Sequence, residues 1–162
     1  MDIFKFDEAR TREAVLFILN FLDAVDKHKL SKLLYFADKI HLERYGRTIT
    51  GDEYIKMEYG PVPSTVYDAI KGNRRDLIPI HTKGTRLLPD RDADIEELSE
   101  SDIICIRESI EQYGDKDFGE LTDVSHDETW HSGEENSKLN LDQFLATYPN
   151  SKELKEHINN WD

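Results

Sequence analysis

The chain has one cysteine, Cys105, so no disulfide staples it, and that count suits a reducing compartment. Cys105 lies in the run Ile103-Ile104-Cys105-Ile106 and reads as a buried, inert thiol, because a reactive one needs positive neighbours and exposure. Long apolar runs are missing too. The longest, Ala14 to Leu19, falls far short of the roughly 20 residues that cross a bilayer. No basic stretch leads into an apolar one at the N-terminus, so no secretion signal is read there. The expectation is a soluble, cytoplasmic protein that makes no membrane contact. Internal repeats and low-complexity segments are absent as well.

A basic excess is also lacking. The formal charge is -13, and residues 1–81 are balanced, so the whole acidic excess lies in residues 82–162. Nucleic-acid binding draws its affinity from Lys and Arg neutralising phosphates, so no nucleic-acid partner is expected. The acidic half reads either as a solubilising surface or as a docking face for a basic partner. The candidates for such a face are Asp90, Asp92, Asp94, Glu96 and Glu97, followed by Asp115, Asp117, Glu120 and Asp123.

What is present is helical periodicity. With 162 residues the chain has the size of one domain, taken here as 1–162. Val15, Ile18, Phe21, Leu22 and Val25 recur at helical spacing behind Asp7 as N-cap, predicting a helix over 8–25. Leu30, Leu33, Leu34, Ala37 and Ile40 predict a second over 29–45, closed by Gly46 and expected to be the most buried element. Ile55, Met57 and Tyr59 alternate with Lys56 and Glu58, a strand that Gly60 to Ser64 breaks. Pro63 and Ser64 open a short helix that Gly72 closes.

Leu77–His81 and Thr85–Leu88 predict a hairpin, and residues 89–102, with seven carboxylates, a solvated connector. Ser99 and Asp102 are spaced to cap a helix carrying Ile103, Ile106, Ile110 and Tyr113. A short helix near 118–124, a loop over 130–138, a helix opened by Asn140 and Gln143, and a last helix over 151–161 complete the chain. The expected class is α+β: a mostly helical single domain with one small antiparallel β-sheet holding residues 54–59 and the hairpin 77–88.

The most specific stretch runs from Lys32-Leu33-Leu34-Tyr35-Phe36-Ala37-Asp38 through His41-Leu42 and Tyr45-Gly46-Arg47 to Ile49-Thr50-Gly51-Asp52. It ends in Tyr59-Gly60-Pro61-Val62-Pro63, with Tyr67 on the next helix. Read from the residues alone, these positions suit architecture: Asp38 and His41 are spaced for an i, i+3 hydrogen bond, and Asp52 for an Asx turn. The stretch resembles the signature of the Panacea (SocA-like) antitoxin family. Leu121 to Trp130 is a weaker echo of that family's later serine/threonine, histidine and tryptophan pattern.

That resemblance implies an antitoxin domain of bacterial or phage toxin–antitoxin operons. Such a domain neutralises a cognate toxin by direct binding, and one branch of the family delivers its toxin to a protease, here a cytoplasmic AAA+ protease. The motif positions Tyr35, Asp38, His41, Thr50, Asp52, Tyr59, Gly60, Pro61, Val62, Pro63 and Tyr67 are the candidates for a shared scaffold and a common toxin-binding surface, with specificity expected from the acidic second half. No DNA-binding helix-turn-helix of the kind some members carry is evident, so operator binding is not expected.

Catalytic readings are weaker. His126 and His131 lack the i, i+4 spacing that puts two imidazoles on one helical face, so no metal and no cofactor are expected. Ser125-His126-Asp127 has the letters of a hydrolase triad, but adjacent residues do not reach its geometry. The alternative to an interaction protein is a hydrolase using a pocket of His41, His126 and Asp38. Phosphate loops, dinucleotide fingerprints and nucleophile elbows are absent.

Overall fold

The computed structural model describes residues 3–160; Trp161, expected on the last helix, lies outside them. Among the described residues there are eight α-helices and two antiparallel hairpins. Helix α1 (Glu8–Phe21) starts on Asp7, whose side chain accepts the Arg10 N–H, as the sequence predicts. It ends four residues early, at an extended Leu22. The reason lies downstream: Ala24 takes a positive φ, Val25 is buried and gives its carbonyl to Leu87 N–H, and Asp26 caps the next helix.

That helix, α2 (Lys27–Tyr45), is the axis of the molecule. Every side chain from Leu30 to Asp38 is buried, which no amphipathic surface helix shows. Gly46 closes it in the left-handed conformation, φ 76°, where a side chain would be strained. One face of α2 supplies Leu30, Leu33, Leu34 and Ala37 to a core shared with α1 and α4 (Glu100–Tyr113). Another supplies Tyr35, Phe36 and Leu42 to a second core with Tyr54, Phe144 and Leu154.

The chain next forms strands β1 (Tyr54–Met57) and β2 (Gly60–Pro63), then α3 (Ser64–Lys71). Gly60 to Pro63 was expected to break the strand; instead it turns back as β2 and pairs Tyr54 with Pro63 and Met57 with Gly60. Prolines are tolerated here because β2 is an edge. The second hairpin, β3 (Ile80–Lys83) and β4 (Arg86–Pro89), forms a separate sheet, so the single sheet expected from the sequence is two. Its strands are also shifted a few residues towards the C-terminus, because Pro79 stands outside β3.

The acidic connector is anchored. Buried Glu13 of α1 takes both Arg91 guanidinium nitrogens at 2.7 and 2.9 Å and the Asp94 N–H. A single 3-10 turn (Ile95–Glu97) then leads to the expected capping box of Ser99 and Asp102 on α4. Helix α5 (Phe118–Ser125) comes next, and α6 (Glu128–Ser132) takes Trp130 into a helix where a loop was expected. Asp127 makes the difference by accepting the Trp130 N–H as N-cap. Helices α7 (Leu141–Leu145) and α8 (Ser151–Asn159) close the second core.

Candidate functional site

Three buried carboxylates, Asp38, Asp52 and Asp102, account for much of the polar pattern between α2 and the start of α4. Asp38 accepts four hydrogen bonds: the N–H groups of Ile49 and Thr50, the Thr50 hydroxyl at 2.6 Å and the Tyr54 hydroxyl at 2.7 Å. It fastens the Thr48–Thr50 turn to α2 and orients β1. Burial pushes its carboxyl pKa up, against the pull of these donors. Asp52 accepts the N–H groups of Thr65 and Val66, satisfying orphan donors at the start of α3, rather than closing only a local turn.

His41 does not pair with Asp38. Its Nδ1 lies 2.7 Å from the Arg47 carbonyl and its Nε2 2.8 Å from the Ser101 hydroxyl, with Asp102 at 3.3 Å. Burial raises the Asp102 pKa, but the nearby His41 ring nitrogen, the bond from Ser99 N–H and the Arg47 charge outweigh it and hold the carboxyl well below the usual range. His41, Arg47 and Asp102 therefore clamp α2 to the start of α4.

The second motif locks onto the first. The Tyr35 hydroxyl donates to Asp127, 2.8 Å from one oxygen and 3.0 Å from the other. The Lys39 ammonium reaches Asp127 at 3.0 Å and Thr129 at 3.1 Å. Burial raises the Tyr35 pKa far above its ordinary value, with the Asp127 charge adding to it, so the phenol stays a donor. From α6 the Trp130 indole N–H donates to the Met57 carbonyl at 2.8 Å, and His126 Nε2 meets the Glu58 carbonyl at 2.9 Å. The two rings stack 3.8 Å apart, and Lys56 sits over Trp130 at 4.2 Å. The β1–β2 turn is thus held by the carbonyls of Met57 and Glu58.

This held turn forms one wall of a groove of about 340 Å³. Tyr59, 52% exposed, meets Phe118, 48% exposed, edge to face with centroids 5.3 Å apart. His28 stacks on Phe118 at 3.9 Å and bonds the Thr122 hydroxyl. Its pKa is lowered, first by burial and then by the Lys32 charge. Met57, Val62 and Tyr67 complete the apolar lining, and Lys27 lies over the Tyr67 ring at 5.2 Å. At the base is Lys32, 1% exposed, whose ammonium donates to the Pro61 carbonyl at 3.0 Å. Burial brings its pKa down to about 8. Gly60 makes room for it: at φ 116° it faces Ser125 Oγ and Lys32 Cε, and a Cβ would come within 2.6 Å of that Cε.

The motif residues named from the sequence therefore divide. Tyr59, Val62 and Tyr67 line the groove; Gly60, Pro61 and Pro63 build its wall. Tyr35, Asp38, His41, Thr50 and Asp52 are internal braces. The grouping His41, Asp38 and His126 does not come together: His41 is sealed against α4, Asp38 holds the Thr48–Thr50 turn, and His126 grips the hairpin. Among the described residues no three His, Cys, Asp or Glu side chains are placed to hold a metal ion. None of the helices described is long and apolar enough to cross a membrane.

Several of the acidic candidates have local work. Asp90 pairs with Arg75 and His81, Asp92 meets Asn20, Asp94 caps the 3-10 turn, and Asp117 and Glu120 form the capping box of α5. Glu96, Glu97, Asp115 and Asp123 stand exposed, without a side-chain hydrogen bond or ion pair among the described residues.

Sequence reasoning did not single out Phe118, His28 or Lys32. Lys32 carries a readable signal, as the only charge inside the run Leu30 to Ala37. Phe118 and His28 carry none, because only packing places them side by side.

The family model described as antitoxin SocA-like, Panacea domain, matches residues 30–131, more than half of the chain. The matched span begins on α2 and ends on α6, enclosing both interlocked motifs. No curated protein and no solved structure shows significant similarity to the chain.

Proposed function

The chain belongs to the antitoxin SocA-like, Panacea-domain family, and from that premise we propose that it neutralises a cognate toxin by binding it directly through the groove of Tyr59, Val62, Tyr67 and Phe118. It acts as one domain, in the cytoplasm, with the toxin as protein partner. The observation that carries this reading is the pair Tyr59 and Phe118, two half-exposed aromatic rings beside a turn that Trp130 and His126 hold in place. Rigid exposed aromatics around a pocket are what binding hot spots are made of, since they bury large area at little entropic cost.

Co-expression with the toxin encoded in the adjoining reading frame tests the reading. The wild-type chain is expected to restore growth and to co-purify with the toxin. The double variant Tyr59→Ser, Phe118→Ser is expected to lose both while staying folded with only a small drop in melting temperature, because it removes the Tyr59–Phe118 and His28–Phe118 ring contacts but neither ring is part of the buried cores. Rescue with no complex would point instead to enzymatic reversal of the toxin's damage. Delivery to an AAA+ protease adds a further signature: the toxin's half-life shortens in the cell, and rescue disappears in a host lacking that protease.

A further inference from the structure

The groove offers more than its aromatic walls, and the chemistry of its occupant can be read from it on the premise that a partner docks there. Its lining holds two lysines, Lys27 and Lys32, against one carboxylate, Glu58, in a chain whose net charge is -13. Lys32 is the unusual one. A buried ammonium is ordinarily paired with a carboxylate, because desolvation otherwise disfavours its charge. Here its hydrogen-bond partner is a single neutral carbonyl, that of Pro61, which leaves two of three N–H donors without an acceptor among the described residues. With a pKa of about 8 the group is still mostly charged at neutral pH. Holding such a charge costs stability, and costs of this kind concentrate at sites kept for function.

We infer that the groove receives a toxin segment in which an aromatic or branched apolar side chain stands beside a carboxylate, the ring or branch seating between Tyr59 and Phe118 and the carboxylate pairing with Lys32 and Lys27. The apolar side chain finds the walls that Met57, Tyr59, Val62 and Phe118 provide. The carboxylate supplies the acceptor that Lys32 lacks, in a setting partly closed to water where a charge-assisted bond is strongest. An apolar segment without an acid would leave two Lys32 N–H donors still without an acceptor, and so would forgo the charge-assisted bond that favours an acidic one.

The test uses the full chain and needs no toxin, so its outcome is independent of whether the chain neutralises one. Random short peptides displayed on phage are selected against the immobilised protein. The expected winners carry Asp, Glu or a terminal carboxylate next to Phe, Tyr, Trp, Leu or Ile. Binding of the best synthetic peptide is expected to weaken about tenfold or more in Lys32→Met, and as much when the peptide's acid is changed to its amide. The two changes together should cost little more than either alone, since they remove one interaction. Tyr59→Ser and Phe118→Ser, both on exposed rings, check the site without touching a core.

The inference is overturned if no peptides are selected, or if the winners lack an acid. It is equally overturned if Lys32→Met binds as tightly as wild type, or if the serine variants bind unchanged. A concentration-dependent dimer in sedimentation that the serine variants dissolve would also overturn it, by making a second copy of this chain the occupant.

Discussion

Tyr35 and Asp127, 92 positions apart in the chain, meet at 2.8 Å through the phenol hydroxyl and one carboxylate oxygen. That bond ties the central helix to the turn that starts α6, and Lys39 reinforces it from one helical turn further on. It bears on the tip of the first hairpin, because α6 carries the Trp130 ring that holds the Met57 carbonyl.

Asp127→Ala should therefore cost more than a surface carboxylate. It removes the acceptor for Tyr35 and Lys39 and the N-cap of α6 together. A lost cap costs about 1 kcal/mol, and a buried hydroxyl left unpaired about 1–3 kcal/mol. The expected loss is about 2–4 kcal/mol in urea denaturation, with a shift in Trp130 fluorescence. A loss below about 0.5 kcal/mol, the range of ordinary surface changes, would show that the two motifs are not locked through this residue.

Lys32 gives the stability a recognisable pH signature. Its folded pKa of about 8 lies below the ordinary 10.5. Between those values the unfolded chain still binds a proton that the folded chain has released, so stability rises with pH across that window. Below about pH 8 both states are protonated and the folded state bears the whole penalty, roughly 3 kcal/mol. Lys32→Met removes it but leaves the Pro61 carbonyl unpaired, so a net gain of about 1–2 kcal/mol is expected at pH 7. The variant's advantage should shrink as pH is raised from about 8 to about 10. An advantage constant with pH would contradict the assignment.

Gly60→Ala tests the close packing beneath the hairpin. A methyl group there collides with the Ser125 hydroxyl and with Lys32 Cε, and the backbone at φ 116° disfavours any side chain. Strain and overpacking together predict a loss of about 2–4 kcal/mol. Gly84→Ala is the control: its φ of 65° is also positive, but a methyl group there meets nothing within 4 Å. Equal losses at both positions would mean that backbone strain alone is responsible.

The acidic side chains should act on rates rather than on grip. Reversing Glu96, Glu97, Asp115 and Asp123 to lysine leaves in place the Asp94 and Asp117 caps and the Glu13–Arg91 ion pair. If the toxin presents a basic surface, association should slow several-fold and lose salt dependence, with dissociation little changed. The groove variants Tyr59→Ser and Phe118→Ser should do the reverse and speed dissociation. Kinetics of the toxin complex at two ionic strengths separate the two, and unchanged association after charge reversal would reduce these acids to a solvated surface.

How far the fold and the groove were legible in the sequence depends on the range of each interaction. Local signals read true: Asp7 as N-cap, Gly46 as left-handed C-cap, and the Ser99–Asp102 and Asn140–Gln143 boxes are formed by neighbours within one turn. The helical α+β class and the buried stripe of α2 came from periodicity, which burial enforces directly. The end of α1, the helix at Trp130 and the return of Gly60–Pro63 as a strand were missed. The first depends on Val25 being pulled to Leu87, a partner no short window contains; the second turns on the Asp127 cap, a local signal three residues before Trp130 that the loop reading passed over.

The pairing that periodicity suggested, Asp38 with His41, failed for the same reason. Each found better partners elsewhere, Asp38 in the Thr48–Thr50 turn and His41 in Ser101 and Asp102. By itself the sequence determined most of the helices and their caps, the charge imbalance and the motif whose family the match bears out. Tertiary structure alone decided which motif residues brace the inside and which face outward. Exposure belongs to the packed whole: Tyr35 and Tyr59 are the same residue type in the same motif, yet one is sealed at 0% exposure by α6 and α7 while the other stands open beside Phe118.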